Sequence, residues 1–190
     1  ARLIRERFLP DALFVVPLTT RETRLQFEAA IYRQRAAEVP FRLLFGHAQD
    51  ALGAADVSLV ASGTATLEAA LIKRPMVITY KVARSSWWIG KWLVHSPYVG
   101  LPNILAGRAV VPEILQDQAT PENLAEALVK LYEDKDNAAV VAETFTDIHL
   151  QLRRNNAEKA ANAVIECLNS AFRKGASVAS TRPGAGRWPG

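Results

Sequence analysis

Apolar residues alternate with helix-forming stretches through the first 82 positions of the chain. "ALFVVPL" (Ala12–Leu18), "FRLLFG", "DVSLVAS" and "MVITYKV" are short runs rich in branched and aromatic residues, and they read as strands. Between them lie "TRETRLQFEAAIYRQRAAEV", "AQDALGAA" and "TATLEAALIKR", which read as helices. Thr20 is placed to cap the first of these, and Pro75 stops the last. Strands that are apolar throughout, separated by helices, predict a parallel sheet with helices on both faces.

After Val82 the alternation ends. "ARSSWWIGKWLVH" is aromatic and basic, and "SPYVGLPNILAGRAVVPEILQ" reads as a structured loop with a short helix. Three helices follow. The first carries Thr120 as cap, Pro121 in its first turn and an apolar face of Leu124, Leu128, Leu131 and Tyr132. The second is expected to bury Val141, Phe145, Ile148 and Leu152, and the third Ala160, Val164, Cys167, Leu168 and Ala171. Residues 171–190 are rich in Gly, Ser, Pro and Arg and read as a disordered tail, which leaves residues 1–170 as the folded domain. The chain opens on Leu3, Ile4, Phe8 and Leu9 at helical spacing without a preceding cap, so its start reads as the inside of a longer protein.

Composition refines this picture in two places. The net charge is +4, and Arg173, Lys174, Arg182 and Arg187 in the acid-free tail account for all of it. The body is therefore neutral, and the basic balance, a property of the tail, argues only weakly for nucleic acid. A single cysteine, Cys167, excludes an internal disulfide and fits a reducing compartment; its place on an apolar stripe reads as core.

The stretch "LVASGTATLEAAL" (Leu59–Leu71) holds the candidate chemistry. A strand gives way to a helix through Ser62, Gly63 and Thr64. Ligands of open parallel sheets bind beyond the carboxyl ends of strands, where helix N–H groups lack intrahelical partners and the helix dipole is positive. Gly63 permits close approach to backbone, and Ser62, Thr64 and Thr66 add hydroxyl donors suited to phosphate. Glu68 lies one turn further, where it can accept from a vicinal diol such as a ribose. Spacing alone leaves a second reading open: an ordinary strand–helix junction with Thr64 as N-cap and a solvated Glu68. The chain has neither the GxGxxG of dinucleotide folds nor the GxxxxGK[ST] of P-loops. "DKD" at Asp134–Asp136 follows a helix and reads as a polar turn, and no metal or other cofactor is expected. His47, at a strand end, either borders the ligand or is a loop histidine.

Two longer stretches, "SLVASGTATLEAALIKRPMVITYKV" and "SPYVGLPNILAGRAVVPEILQDQATPENLAEAL", resemble the C-terminal domain of lipid-A-disaccharide synthases. "FLPDALFVVPL" and "QLRRNNAEKAANAV" fit the same family, so the likeness covers about residues 1–170. The resemblance implies one Rossmann-like half of a GT-B glycosyltransferase. Members join UDP-2,3-diacylglucosamine to 2,3-diacylglucosamine 1-phosphate and release UDP. It further implies that this chain is the nucleotide-sugar half, without the acceptor half, its catalytic carboxylate or the first strand of this domain. Ser62, Gly63 and Thr64 would then sit at the pyrophosphate and Glu68 at the ribose, with Thr66 also in the UDP-sugar site and Asn103 and Arg108 near the donor.

Trp87, Trp88 and Trp92, with Arg84 and Lys91, have the composition of a membrane-interface patch. The acylated substrates of the resembled family imply a peripheral location on the cytoplasmic face of the inner membrane, with a homodimer as a further possibility. Two alternatives stay open: another GT-B transferase or epimerase that binds UDP-N-acetylglucosamine, and a non-catalytic lipid-surface module.

Overall fold

The computed structural model describes residues 1–83, 96–153 and 156–179, the last helix by its backbone alone at Asn156 and Ala157 and beyond Asn169. The aromatic patch from Arg84 to Trp92 lies outside the described residues.

The four expected strands form: β1 (Phe14–Leu18), β2 (Phe41–Phe45), β3 (Ser58–Ala61) and β4 (Met76–Tyr80). Helices α1 (Arg2–Arg7), α2 (Arg21–Arg33), α3 (Ala48–Ala54) and α4 (Thr64–Ile72) precede or separate them. Thr20 caps α2 as expected, its hydroxyl accepting the Thr23 N–H at 3.1 Å. A short α5 (Leu101–Ala106) follows, and then a strand the sequence reading missed, β5 (Glu113–Leu115). Three residues behind Pro112 are too few to show a period of two, and a proline normally argues against a strand interior. Thr120 caps α6 (Pro121–Glu133) by accepting the Asn123 N–H.

All pairings are parallel, and the fold is an open α/β architecture. One sheet was expected, but hydrogen bonding divides the strands into β1-β2 and β3-β4-β5. Among the described residues β1 pairs only with β2, and β3 only with β4. Helix α3 touches both β1 and α4, so it lies across the interval between the two pieces.

Strand β4 shows why helices cover both faces. Met76, Val77 and Ile78 are all fully buried. Met76 and Ile78 point to one face, where they pack with Val60, Ala69 and Ala70 and with Val141, Phe145 and Ile148 of α7 (Lys135–Leu152). The alternation of a strand sends Val77 the other way, and α6 contacts β4. A second cluster joins Ile4 of α1 to Ala125 and Val129 of α6. The buried face of α6 is thus centred on Ala125, Val129 and Leu131, with Leu124 and Leu128 half-buried. Leu152 is exposed although the three preceding stripe residues of α7 are buried. Lys73, left-handed at the end of α4, donates through Nζ to Leu71 O at 2.8 Å and to His149 Nδ1 at 3.1 Å, which ties α4 to α7.

Residues 1–150 form one compact unit and residues 151–190 a second. The second contains α8 (Asn156–Ala179), which continues past Ala171, where the tail was expected to begin. Cys167 does not lie in a core, contrary to expectation. It is exposed, as are Val164, Ile165 and Leu168. The helical period was read correctly, but an apolar stripe says that a helix has a face to cover, not that its own chain covers it. Among the described residues no helix is long and apolar enough to cross a membrane.

Candidate functional site

The carboxyl edge of β3-β4-β5 is built around one unusual glycine. The Ser62 N–H donates to Thr79 O at 2.9 Å and extends the ladder one residue beyond β3. The chain then turns at Gly63, with φ 148° and ψ −164°. That region is open essentially to glycine alone. A Cβ at Gly63 would meet nothing within 4 Å, so the requirement comes from the backbone and not from crowding. Gly63, and not Thr64, is the N-cap of α4, and no side chain caps the helix. Thr64 is therefore the first helical residue. The first N–H groups of α4, at Gly63, Thr64 and Ala65, have no intrahelical partners, and all three residues are exposed. Glu68 is exposed one turn along the same helix.

The other hydroxyls assigned to this end do structural work. Thr66 is completely buried, and its Oγ1 donates to Gly63 O at 2.7 Å, which holds the glycine in its turn. Ser62 is half-buried, and its Oγ donates to Val99 O at 3.1 Å. That bond fastens the turn to the segment before α5. Neither hydroxyl proton is available to a phosphate in this arrangement.

Asn103 departs furthest from its expected role. It is wholly buried, and its amide is saturated. Oδ1 accepts the N–H groups of Val110 and Val111 at 2.8 and 3.1 Å, while Nδ2 donates to Val111 O at 2.9 Å and to Glu113 Oε1 at 2.8 Å. These bonds exhaust an amide's two donors and two lone pairs, leaving nothing for a donor sugar. Arg108 is exposed, and its Nη2 donates to Thr144 Oγ1 at 2.9 Å on α7. Gly63, Thr64, Glu68 and Arg108 are exposed and stay open to a ligand, whereas Ser62, Thr66 and Asn103 hold the surrounding structure.

Two residues of this edge escaped the sequence reading. Glu113 accepts from Val99 N at 2.8 Å, Gly100 N at 2.9 Å and Asn103 Nδ2 at 2.8 Å, so one carboxylate organises the entry to α5. A Cβ on Gly100 would run into Ile78 Cδ1 and come 3.1 Å from Glu113 Oε1, which is why glycine stands there. A lone glutamate inside the apolar run "VVPEIL" was the available signal. The second is Gln116, left-handed at φ 51° directly after β5.

A cavity of about 280 Å³ lies beside this loop, lined by Pro97, Tyr98, Asn103, Ala109, Val111, Pro112, Glu113 and Leu115. Its polar wall is Asn103 and Glu113, which bond each other and the loop backbone. His47 is left-handed at the start of α3 and pairs through Nδ1 with Asp50 Oδ2 at 2.9 Å, both exposed, as a loop histidine does. Asp134 is a turn residue as expected: its Oδ1 accepts the Asn137 N–H at 2.9 Å at the start of α7.

A parallel α/β domain with an uncapped, glycine-turned helix end at its carboxyl edge belongs to the broad class of Rossmann-like domains, which take anionic ligands there. Comparison with known proteins narrows the class. The family model described as lipid-A-disaccharide synthetase matches residues 1–164. The lipid-A-disaccharide synthase of Dechloromonas aromatica (strain RCB) is 79% identical over 169 residues, which cover 89% of this chain and 44% of that protein. That of Azoarcus sp. (strain BH72) is 54% identical over 161 residues, 85% of this chain and 41% of the relative. The Chromobacterium violaceum enzyme of the same name is 54% identical over 166 residues, 87% and 43%. The chain belongs to the lipid-A-disaccharide synthase family, and it spans less than half the length of these relatives.

Proposed function

We propose that this chain is the UDP-binding half of a lipid-A-disaccharide synthase, a glycosyltransferase of lipid A biosynthesis. The whole protein would transfer 2,3-diacylglucosamine from its UDP donor to 2,3-diacylglucosamine 1-phosphate. The observation that carries the reading is Gly63, held in a glycine-only conformation at the uncapped start of α4. Breaking the sugar–phosphate bond builds negative charge on the departing UDP. Fixed N–H donors at Gly63, Thr64 and Ala65 oppose that charge without reorganising, which is how a preorganised site lowers a barrier. Glu68, set back from the phosphate position, accepts from the ribose diol.

The catalytic carboxylate and the acceptor groove belong, on this reading, to the rest of the protein, and the chain alone is without transfer activity. The same view accounts for the divided sheet. The edges of β1 and β3 that are unpaired among the described residues, under α3, would take a strand from the rest of the protein, and doubly wound sheets have such a strand at the point where their order reverses. Exposed Val15 and Leu59 would be covered in the complete protein.

Calorimetric titration of the full-length protein with UDP tests the site. Glu68→Ala is expected to weaken binding by about 1.5–3 kcal/mol, the scale of one lost hydrogen bond to a charged group. Unchanged affinity in a folded variant removes Glu68 from the ribose.

Membrane contact is proposed from sequence composition. Trp87, Trp88 and Trp92 insert at the lipid interface, and Arg84 and Lys91 meet anionic headgroups. Replacing the three tryptophans by serine together is expected to reduce co-sedimentation with anionic vesicles and to leave UDP affinity unchanged. Residual binding should fall as salt rises. A collapsed thermal melt would instead assign the rings to the protein core.

A further inference from the structure

One side chain at the carboxyl edge of β3-β4-β5 has an unmet hydrogen bond. Gln116 follows β5 directly, with φ 51°. A residue with a Cβ takes that left-handed backbone only where its surroundings impose it. Its Oε1 accepts the Val82 N–H at 3.0 Å, two residues beyond the end of β4. Only the oxygen of an amide accepts, so this bond fixes which way the group points. Nε2 is consequently turned the opposite way, and it is buried without an acceptor among the described residues. Buried donors in folded proteins are nearly always satisfied, and one that is not calls for a partner.

The strand register locates this donor. Ala61 lies beside Thr79, and Tyr80 beside Leu115. Carried two residues past Ala61 and one past Leu115, that register sets Gln116 level with Gly63, across the width of β4. Neighbouring strands are ~4.8 Å apart, so the two stand roughly 10 Å from each other along the same edge. A sugar linked to a pyrophosphate at Gly63 covers that span. A neutral amide N–H suits a neutral acceptor, a hydroxyl or an acyl carbonyl, better than a phosphate oxygen, which draws on backbone N–H groups and cations.

We propose that Gln116 is a specificity-determining contact of the donor: its Nε2 hydrogen-bonds an oxygen of the sugar part of a UDP-sugar and does not touch UDP itself. The proposal rests on the reading that UDP lies at Gly63. It gives the orphaned donor its acceptor in the bound state, and it explains why a strained glutamine stands where glycine would be the relaxed choice.

The test is titration of the full-length protein with UDP, UDP-glucose and UDP-2,3-diacylglucosamine, beside thermal melts. Gln116→Glu keeps an oxygen for Val82 N–H and removes the Nε2 donor. Gln116→Gly removes the side chain and suits the left-handed backbone, so it holds the fold if the buried charge of the first variant does not. Both variants are expected to weaken UDP-2,3-diacylglucosamine binding about tenfold or more, while UDP affinity stays within about twofold. Weakening with UDP-glucose as well assigns a sugar hydroxyl as acceptor; weakening with the diacyl donor alone assigns an acyl carbonyl. Equal loss for UDP and the UDP-sugars overturns the proposal, because Gln116 then only holds the edge together. Unchanged UDP-sugar affinity with UDP binding intact overturns it too, and leaves the UDP site standing. Absence of UDP binding in the unmutated protein removes both.

Discussion

Asn103→Ala is expected to destabilise the domain strongly, not to weaken ligand binding selectively. The substitution deletes four hydrogen bonds and leaves the Val110 and Val111 N–H groups and the Val111 carbonyl without partners. It also strips Glu113 of one donor. A buried polar group left unpaired costs about 1–3 kcal/mol, and access of water to the vacated site recovers part of it. The sum is roughly 3–5 kcal/mol, a large share of the 5–15 kcal/mol typical of a folded domain. Thermal or urea denaturation of the full-length protein measures it. A variant that melts normally yet loses UDP affinity would return Asn103 to the ligand.

Gly63→Val is expected to act on stability and binding together. Valine at φ 148° is strained by about 1–3 kcal/mol even though the space around its Cβ is empty. If the turn relaxes to relieve the strain, the N–H groups of Gly63 and Thr64 no longer point to one place. UDP affinity should fall about tenfold or more, beyond what the loss of stability explains. Calorimetry under conditions where the variant is folded separates the two effects. Equal UDP affinity with a lowered melt would make Gly63 a turn residue and nothing else.

Local signals in this sequence were reliable wherever the physics is local. Thr20 and Thr120 read as caps because a hydroxyl three residues ahead of an orphan N–H satisfies it wherever the helix lies. Val141, Phe145 and Ile148 read as core because their spacing places them on one face, and all three are buried. The site was less legible, since a hydroxyl or amide reads the same whether its partner is a ligand or a distant stretch of backbone. Ser62 finds its acceptor 37 residues away at Val99. Asn103 looked like a donor-binding residue from its family motif, and its actual partners, at Val110, Val111 and Glu113, exist only once the loop closes. Gln116 gave no sign, because neither its left-handed backbone nor its stranded Nε2 is visible before the strands are aligned. Strand β5 and the exposed stripe of α8 were misread for the reasons the fold supplies: too short a run, and a face whose cover the sequence does not name.

The proposed site puts the diphosphate of UDP at the start of α4. A crystal structure of the full-length protein with UDP tests it most directly. The diphosphate is predicted within hydrogen-bond distance, about 2.7–3.1 Å, of the N–H groups of Gly63, Thr64 or Ala65, with the ribose hydroxyls on Glu68. UDP bound at another edge, with α4 left bare, would contradict it.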